Sequence, residues 1–269
     1  SIRDLLHIGG IVEPEARVTL DFETRSTETD CVSDVVTWEI AARLTQEGLP
    51  NPAEGVEAWS FGVIATDATI MTATVSGTSS EGAGFEFTEI VPGGVVTSVI
   101  LDLVNASSLT GVGPHDLLVL SVEATPEDTC QRGVLRYING LQGSGEPVKS
   151  SVIINGEQKS PTLRALTIDS CPCGLQKPGD CTQDGVVNLS DAICLLGFLF
   201  TGETPFLPCG DGSSLHTSNI ALYDWSDSGD IELSDAVGLL RHFFLGGPPH
   251  PLGSDCIPAV ECQDVCSSS

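Results

Sequence analysis

From residue 15 to residue 169, apolar and polar side chains alternate in short runs, as they do in β-strands that bury one face. Val18, Leu20 and Phe22, for example, fall on one face of the first run. The predicted strands are 17–23, 35–44, 55–65, 69–75, 85–90, 95–104, 117–124, 134–139, 148–154 and 163–168. Turn residues separate them, and helical periodicity is almost absent. The pattern predicts a mainly β domain built as a sandwich or barrel.

Two stretches in the second half, 180–200 and 224–244, repeat one pattern 44 positions apart without a gap. Each begins with Asp, carries oxygen-bearing side chains at its third and fifth positions, and has Gly sixth, an aliphatic residue eighth and Asp twelfth. An apolar run follows at once, so we predict a helix after each loop. Residues 192–200 are apolar on nearly all sides, which predicts a buried helix. In the second helix, Val237, Leu240 and Phe244 are predicted to share one face, opposite Arg241.

The repeated pattern is that of a calcium loop, because Ca²⁺ takes several oxygen ligands from a short flexible loop. Gly185 and Gly229 allow the sharp bend, and Val187 and Ile231 are predicted to point inward and pair the loops. The predicted ligands of the first ion are Asp180, Thr182, Asp184, the Val186 carbonyl, Asn188 and Asp191. Those of the second ion are Asp224, Ser226, Ser228, the Asp230 carbonyl, Glu232 and Asp235.

A metal-free acidic turn in front of a helix is the alternative interpretation of either loop. Two loops in register, each followed by Ser-Asp-Ala and an apolar run, favour calcium over it. Thr182, Ser226 and Ser228 are weaker ligands than Asp or Asn. Fewer carboxylates predict a modest affinity, which suits an extracellular setting.

The duplicated loop and helix resemble the dockerin family. Dockerins have two such repeats, Asp rather than Glu at the twelfth loop position, and no helix before the first loop. Asp191 and Asp235 match, and residues 177–179, Lys-Pro-Gly, are not expected to be helical. In dockerins the tenth and eleventh loop positions help to contact the partner cohesin; here both copies have Leu-Ser, at 189–190 and 233–234. The resemblance implies a cohesin-like surface protein as a partner.

The first half resembles the cohesin-type jelly-roll sandwich. The stretches that carry this resemblance are 55–63, 95–103 and 116–122. Together the two resemblances imply a jelly-roll-like β-sandwich followed by a small α-helical dockerin-like module with two calcium loops. The spacer 201–223 is longer than in a compact dockerin, and the C-terminal cysteines are also atypical.

The ten cysteines shape the domain prediction. No Cys-x-x-Cys pair faces another, so disulfides formed in an oxidising compartment are favoured over a zinc ribbon. Cys31 and Cys130, the two in the first half, are predicted to pair, while the other eight leave many connectivities open. We predict an N-terminal arm or first strand at 1–14, a β-sandwich at 15–169 and a disulfide-rich calcium-binding module at 170–269, in a secreted, extracellular or cell-surface protein.

Charge excludes several classes of function. The net charge is −26, from 11 basic and 37 acidic residues, which argues against nucleic acid and against anionic membrane surfaces. No apolar stretch is long enough to insert into a membrane. The sequence also lacks a nucleophile elbow, a Walker loop and a dinucleotide fingerprint, so a non-enzymatic protein is predicted.

Two functions remain as hypotheses. The first is a calcium-stabilised structural protein that self-associates head to tail into a filament or binds a cohesin-like surface protein. The apolar arm at 1–14 offers a second joint, by strand addition to a neighbour. The alternative is a carbohydrate-binding or adhesion module, with a glycan as partner, anchored through its dockerin-like end. Few aromatic residues are available to stack on sugars, which favours assembly.

Overall fold

The computed structural model describes residues 17–48, 55–104, 107–127 and 130–266, so the predicted arm at 1–14 lies outside the described residues. The chain divides into two compact units. The first consists of Ser1–Glu28, Thr37–Ala124 and Arg132–Ile168. The second consists of Thr29–Val36, Thr125–Gln131 and Asp169–Ser269. The second unit therefore includes two short segments that come from far earlier in the sequence.

The first unit is built from two β-sheets, which confirms the mainly β prediction. Its strands are β1 (Arg17–Asp30), β2 (Val35–Glu47), β3 (Val56–Thr66), β4 (Thr69–Thr74), β5 (Phe85–Val91), β6 (Gly94–Ile100), β7 (His115–Ala124), β8 (Gln131–Ile138), β9 (Ser151–Ile154), β10 (Glu157–Lys159), β11 (Thr162–Leu163) and β12 (Leu166–Ser170). One sheet has the order β11-β1-β2-β7-β4. The other has the order β10-β9-β3-β6-β5, with β8 also paired to β3 and β12 paired to β8.

The last predicted strand, 163–168, proves to be two strands in different sheets. Strand β11 pairs in parallel with β1, where Thr19 faces Thr162 and Leu20 faces Leu163. Strand β12 pairs with β8 in the second sheet. An alternation pattern records which face of a strand is buried but not which neighbour it pairs with, so the crossing between sheets was not visible in the sequence.

The core of the first unit lies between the inward faces of the two sheets. Val18, Leu20 and Phe22 are buried along β1, as their alternation predicted. Phe22 stacks on Tyr137 of the other sheet with ring centroids 4.4 Å apart. The Tyr137 hydroxyl donates a hydrogen bond of 2.7 Å to the Asp21 carbonyl. Tyr137 thus joins the two sheets by packing and by a hydrogen bond, and its burial raises the pKa of its hydroxyl well above the usual range.

Gln46, a buried polar residue at the end of β2, organises the connection between β6 and β7. Its Nε2 donates to the carbonyls of Leu109 and Gly111, each at 2.6 Å. Its Oε1 accepts from the backbone N–H of Val56 at 3.3 Å. Buried backbone groups need partners, and here one side chain supplies three of them.

The second unit contains short helices and one small sheet. Its elements are β13 (Cys173–Gln176), α1 (Leu189–Leu196), a π-helical turn (Gly197–Thr201), α2 (Thr217–Tyr223), α3 (Leu233–Leu245) and β14 (Ile257–Val260). Strands β13 and β14 pair with each other in antiparallel fashion. No helix among the described residues has the length and hydrophobicity needed to cross a membrane.

Five disulfides involve all ten cysteines, and they correct the predicted pairing of Cys31 with Cys130. The pairs are Cys31–Cys173, Cys130–Cys171, Cys181–Cys194, Cys209–Cys262 and Cys256–Cys266. Cys31 lies in the β1–β2 turn and Cys130 just before β8, and both segments belong to the second unit. Each therefore pairs with the Cys-Pro-Cys segment at 171–173, at the start of the main part of that unit.

The helices bury a narrower face than predicted. In α1, Ala192 and Leu195 are buried, but Ile193 is 59% exposed and Phe200, just beyond, is 65% exposed, so the prediction of a fully buried run was wrong. In α3 the buried residues are Asp235, Ala236 and Leu239, whereas Val237 and Phe244 are exposed. Arg241 was predicted on the opposite face, but it lies four residues after Val237 and therefore on the same side of the helix. Helices α1 and α3 contact each other, and Ala192 clusters with Leu239. Ala236 clusters with Leu195.

We expect Gln46→Met to destabilise the first unit by about 2–4 kcal/mol, because two buried carbonyls and one buried N–H lose their partners. The measurement is urea unfolding followed by tryptophan fluorescence. Gln158→Met, at an exposed position of β10, is the matched control and should change the midpoint little. Equal midpoints for the two variants would contradict the role given to Gln46.

Candidate metal centre

The Asp180 carboxylate, which is fully buried, holds the first predicted calcium loop in a tight turn. Its Oδ2 accepts a hydrogen bond from the backbone N–H of Gly185 at 2.7 Å, and its Oδ1 accepts from Asp184 at 3.1 Å. Gly185 has a φ of +81°, a left-handed conformation that strains residues with a side chain. The sequence pattern of Asp first and Gly sixth thus corresponds to a loop that wraps around one carboxylate.

The Asp191 carboxylate, also fully buried, closes the same loop from the other end. Its Oδ1 accepts hydrogen bonds from the backbone N–H of Thr182 at 2.9 Å and from the Thr182 hydroxyl at 2.8 Å. Its Oδ2 accepts from the N–H of Asn188 at 2.7 Å. Asn188 in turn accepts from the N–H of Ser190, so the two residues form a capping box at the start of α1.

The second loop repeats this arrangement. Asp224 accepts from the N–H groups of Ser228 and Gly229 at 2.9 and 2.7 Å. Asp235 is fully buried and accepts from the N–H groups of Ser226 and Glu232 at 2.8 and 2.7 Å. Glu232 and Asp235 form the capping box of α3. The two loops therefore share the same backbone-to-carboxylate bonds at equivalent positions.

The structure brings the first, third and twelfth positions of each loop together. The Thr182 hydroxyl oxygen lies 2.8 Å from Asp191 Oδ1 and 3.5 Å from Asp180 Oδ1. In the second loop, Ser226 Oγ lies 3.4 Å from Asp224 Oδ1. In each loop, the oxygen-bearing residues at these three positions therefore lie close together.

The other predicted ligands are bonded within the loops. Asp184 Oδ1 accepts from the N–H of Val186, and the Val186 carbonyl accepts from Asn188 Nδ2 at 3.0 Å. In the second loop, the Ser228 hydroxyl donates to the Asp230 carbonyl at 3.2 Å. Glu232 Oε1 accepts from the Ser234 hydroxyl at 2.8 Å. Carboxylate, carbonyl and hydroxyl oxygens have more than one lone pair, so these groups can keep these hydrogen bonds and also bind an ion.

The electrostatics of the two loops differ. Burial, together with the neighbouring charges of Asp191 and Asp184, raises the pKa of Asp180 above its ordinary value. Burial also raises the pKa of Asp224, but hydrogen bonds from Gly229 and Ser228 outweigh it, so the net pKa is lowered. The ionised carboxylate is thus disfavoured at the head of the first loop and favoured at the head of the second.

The donor set fits a hard cation. Asp180, Asp191 and Asp235 are fully buried, and within the described residues no Lys, Arg or His forms an ion pair with them. Buried carboxylates are costly unless a positive charge accompanies them. No group of three or more His, Cys, Asp or Glu side chains within the described ranges is arranged to hold a metal. An ion would therefore depend also on hydroxyl, amide and carbonyl oxygens, as calcium loops do.

Helix α2 lies in the spacer 201–223, where the sequence analysis predicted no helix, and it supports the first loop. The Tyr223 hydroxyl donates to the Asp180 carbonyl at 3.2 Å, and Gln183 Nε2 donates to the same carbonyl at 2.7 Å. Burial, and then the charges of Asp180 and Asp191, raise the pKa of Tyr223. The sequence signal was the apolar run at 220–223, directly before Asp224.

Val187 and Ile231 point into the interior, as predicted, but they belong to different clusters and do not pair the loops directly. Ile231, from the second repeat, packs in a cluster with Leu195 of the first repeat. Val187, from the first repeat, packs against Trp225 and Leu239 of the second. Each repeat therefore completes the hydrophobic core of the other.

No protein-family model matches the chain, and no curated protein matches it. Among solved structures, a type I cohesin–dockerin complex from Clostridium thermocellum matches with a TM-score of 0.38 at 12% identity, over 57% of this chain and 92% of that chain. The sixth cohesin of scaffoldin B from Acetivibrio cellulolyticus, in complex with a dockerin, matches with a TM-score of 0.39 at 12% identity, over 55% and 96%. A type III cohesin from Ruminococcus flavefaciens matches with a TM-score of 0.35 at 14% identity, over 51% and 74%. At these values the likeness assigns no function to this chain.

We expect the double variant Asp191→Asn and Asp235→Asn to lose calcium-dependent stabilisation, because each loop loses a charged ligand. A site contributes about 2.7 kcal/mol when free calcium is about a hundredfold above its dissociation constant. The measurement is calorimetric melting in calcium and in EGTA. Glu127→Gln with Glu203→Gln removes the same charge at exposed positions and is the control. A parent protein with one melting curve in both buffers would contradict the assignment.

A second expectation concerns the calcium-free protein near neutral pH. Asp180→Asn should destabilise it less than Asp224→Asn does, because only Asp180 has a raised pKa. A carboxyl whose pKa is raised on folding opposes folding once ionised, whereas one whose pKa is lowered contributes stability above its unfolded pKa. Asp180 and Asp224 each accept hydrogen bonds from two backbone N–H groups at equivalent loop positions. The two substitutions therefore change the same contacts, and melting in EGTA compares them directly. The reverse order would contradict the electrostatic difference.

Proposed function

We propose that this chain is a non-enzymatic, extracellular, calcium-binding structural protein that associates head to tail with other copies into a filament or cell-surface assembly. The observation that carries the proposal is a pair of exposed apolar stripes, one on each repeat of the second unit. They remain exposed after the helices have packed against each other. The surface that would receive them is a partly apolar face of a sheet in the first unit.

The two stripes occupy equivalent positions 44 residues apart. The first consists of Leu189, Ile193 and Phe200, and the second of Leu233, Val237 and Phe244. Phe200 is 65% exposed and Phe244 is 67% exposed. Single exposed apolar residues need no explanation, but a stripe that recurs on both repeats is typical of an interaction surface. Leu189 and Leu233 are also the loop positions that the dockerin resemblance associates with partner contact.

The receiving surface is the outer face of β5 and β6. Phe85, Phe87 and Ile100 are exposed there, and a cavity of about 440 Å³ opens beside the two Phe rings. The glycine-rich segment 139–148 forms its other wall. Ser144 anchors that wall, because its N–H and hydroxyl both donate to the Glu89 carboxylate, at 2.7 and 2.6 Å.

Glycines in the sheet allow this wall to lie close to the strands. A Cβ atom at Gly62 or Gly94 would meet the Leu141 side chain at 2.9 and 3.0 Å. A Cβ atom at Gly143 would meet Val96 at 2.9 Å. The segment is therefore fitted to the face, and the cavity beside it has defined walls.

Charge favours a second copy of this chain as the occupant. Arg241, one of only 11 basic residues, is exposed on α3, one turn from Phe244. Glu146 is exposed in the lining of the cavity. Two different complementary surfaces in one chain make a heterologous contact, which extends into a filament when the rotation does not close. A cohesin-like surface protein is a second partner that such a stripe would fit.

The capping boxes connect calcium binding to the proposed interface. The loops fix the first turns of α1 and α3, which carry Leu189 and Leu233, so an ion that rigidifies a loop also positions its stripe. The five disulfides support an oxidising, extracellular setting. Glycan binding has less support, because all three Trp and both Tyr are buried and so do not offer rings to a sugar.

A mixing experiment tests the head-to-tail geometry. The helix variant carries Phe200→Ser and Phe244→Ser, and the face variant carries Phe85→Ser and Phe87→Ser. We expect the parent protein to form filaments in calcium by negative-stain microscopy, and each variant to remain monomeric. An equal mixture should form dimers and stop, because one variant keeps intact helices and the other an intact face.

The controls separate the parts of the proposal. Val32→Ser replaces an apolar residue that is 93% exposed in the β1–β2 turn, and it should leave filaments unchanged. Filaments that disappear in EGTA support a calcium-dependent joint. Filaments that persist in EGTA would mean that the interface does not need calcium. A parent protein that is monomeric in calcium would overturn self-assembly, and binding of the parent to a glycan array would then favour adhesion.

A further inference from the structure

Strand β5 is a long sheet edge without the usual protection. Among the described residues it pairs with β6 alone, and the second sheet ends there. Proteins protect sheet edges with short strands, charges or irregular pairing. Strand β10 has three polar residues, β11 has two residues, and β4 has an irregularity between Ile70 and Thr72. Strand β5 has seven residues in unbroken register, with no Lys and no Pro.

The inward side of β5 is only partly covered. Phe61 packs against Tyr137 in the core and pairs with Thr97 of β6. Thr97 in turn pairs with Thr88 of β5, and their hydroxyl oxygens lie 3.0 Å apart, so Thr88 shares the inward side. Ile90, two residues further along this side, is nevertheless 46% exposed. An apolar side chain directed at the core thus lacks part of its cover within the described residues.

The opposite sheet does not extend over this strip. It ends at β4, which contacts β5 across the sandwich. Ile70 of β4 is buried, but Met71 is 48% exposed. A strand added beside β5 would therefore extend the second sheet and cover Ile90. Phe85 and Phe87 point to the other face of β5, so the edge is distinct from the receiving surface.

Strand β5 starts at the end of the sandwich from which the N-terminal arm leaves. Strands β1 and β2 form a hairpin, so β1 begins beside the end of β2. Near that end, Gln46 bonds Val56 at the start of β3. Ala58 of β3 pairs with Ile100, and Ile100 pairs with Phe85. An arm that turns back along β5 from this end would run antiparallel to it.

The lengths of the two parts of the arm match this path. Strands β2, β7 and β4 lie beyond β1 in its sheet, so the arm must cross three strand spacings and the gap between the sheets, about 24 Å in all. Residues 9–16 span about 26 Å when extended. Residues 1–8 remain, enough for the seven residues of β5. Gly9 and Gly10 stand where the path turns, and glycine permits sharp bends.

Side-chain chemistry selects one antiparallel register. It places Ile2 opposite Ile90 on the inward side and Arg3 opposite Glu89 on the outer side. Opposite charges and apolar pairs stabilise such cross-strand positions. A shift by two residues would put Asp4 opposite Ile90 or opposite a glutamate, and a shift by one would exchange the two sides.

We propose that residues 1–8 of the chain's own arm add to the free edge of β5 as an antiparallel strand and cover Ile90. Tethering favours the chain's own arm over a neighbour's, because a linker that matches the span gives a high effective concentration. The added strand would occupy the free backbone groups of β5 and keep copies from joining edge to edge. The inference goes beyond the proposed assembly and needs no calcium, because the predicted ligands lie in neither segment.

Hydrogen exchange of the full chain in EGTA, followed by mass spectrometry, tests the pairing. We expect slow exchange of the backbone amides of residues 1–8 and of β5 in the parent protein. Ile2→Asp with Leu5→Asp should speed exchange in β5 by about tenfold or more. Ile11→Asp with Val12→Asp is the matched control, because it adds the same charges to the same arm outside the paired part, and it should leave β5 unchanged.

The reciprocal variant changes the acceptor edge. Ile90→Lys should release the amides of residues 1–8, because the added strand would bury its ammonium group. Met71→Lys makes the same change in charge at 48% exposure on the neighbouring edge strand, and it should leave these amides protected.

Each opposite result would overturn the proposal. Unprotected amides at residues 1–8 of the parent protein would show that the arm does not pair. Equal effects of the two arm variants on β5, or of Ile90→Lys and Met71→Lys on the arm, would contradict the edge and register. Protection that rises with protein concentration would assign the arm to a neighbour.

The same records separate this inference from the proposed assembly. The variant with Phe200→Ser and Phe244→Ser lacks the apolar stripes and should show the same protection as the parent protein. If the parent forms no filaments in calcium but residues 1–8 are protected, only the assembly proposal fails. If filaments form and these residues are unprotected, only the arm proposal fails.

Discussion

In each repeat of the second unit, one buried carboxylate links a loop to a helix, and the rest of the unit depends on that link. Asp191 and Asp235 accept hydrogen bonds from the third residue of their loop and from the residue that caps the following helix. The path of each loop and the first turn of each helix are therefore set together. Within the part of the chain that the structure describes, no Lys, Arg or His forms an ion pair with either carboxylate, and a metal ion would supply the compensating charge.

The small size of this unit explains its exposed surface. Its apolar residues are divided between a cross-repeat core and the face between α1 and α3, and too few elements remain to cover the outer sides of the helices. Disulfides stabilise a unit of this kind, because a thin core contributes little. The exposed stripes are thus the remainder of a duplicated amphipathic helix, and duplication provides two equivalent surfaces without any further change in fold.

The sequence predicted what depends on local periodicity. Alternation located the strands, and the loop spacing located the turns, the helix starts and the buried carboxylates. It did not predict the helix faces, because Ala192 and Ala236 gave no signal that small residues would form the packed side. It did not predict the division of 163–168 between two sheets or the helix at 217–223, because strand pairing and support of a distant loop are long-range properties.

The pairing of Cys31 has a consequence for biosynthesis. In a chain that emerges from a membrane with its N-terminus first, Cys31 appears first and Cys130 next, while Cys173 follows 142 residues after Cys31. A rapid oxidant would join the two earliest thiols, which is the same pair that counting along the sequence suggests. Correct maturation therefore requires Cys31 to stay reduced until Cys173 emerges, or a thiol–disulfide exchange that corrects the early pair. Yield in a heterologous host will depend on an isomerase as much as on an oxidant.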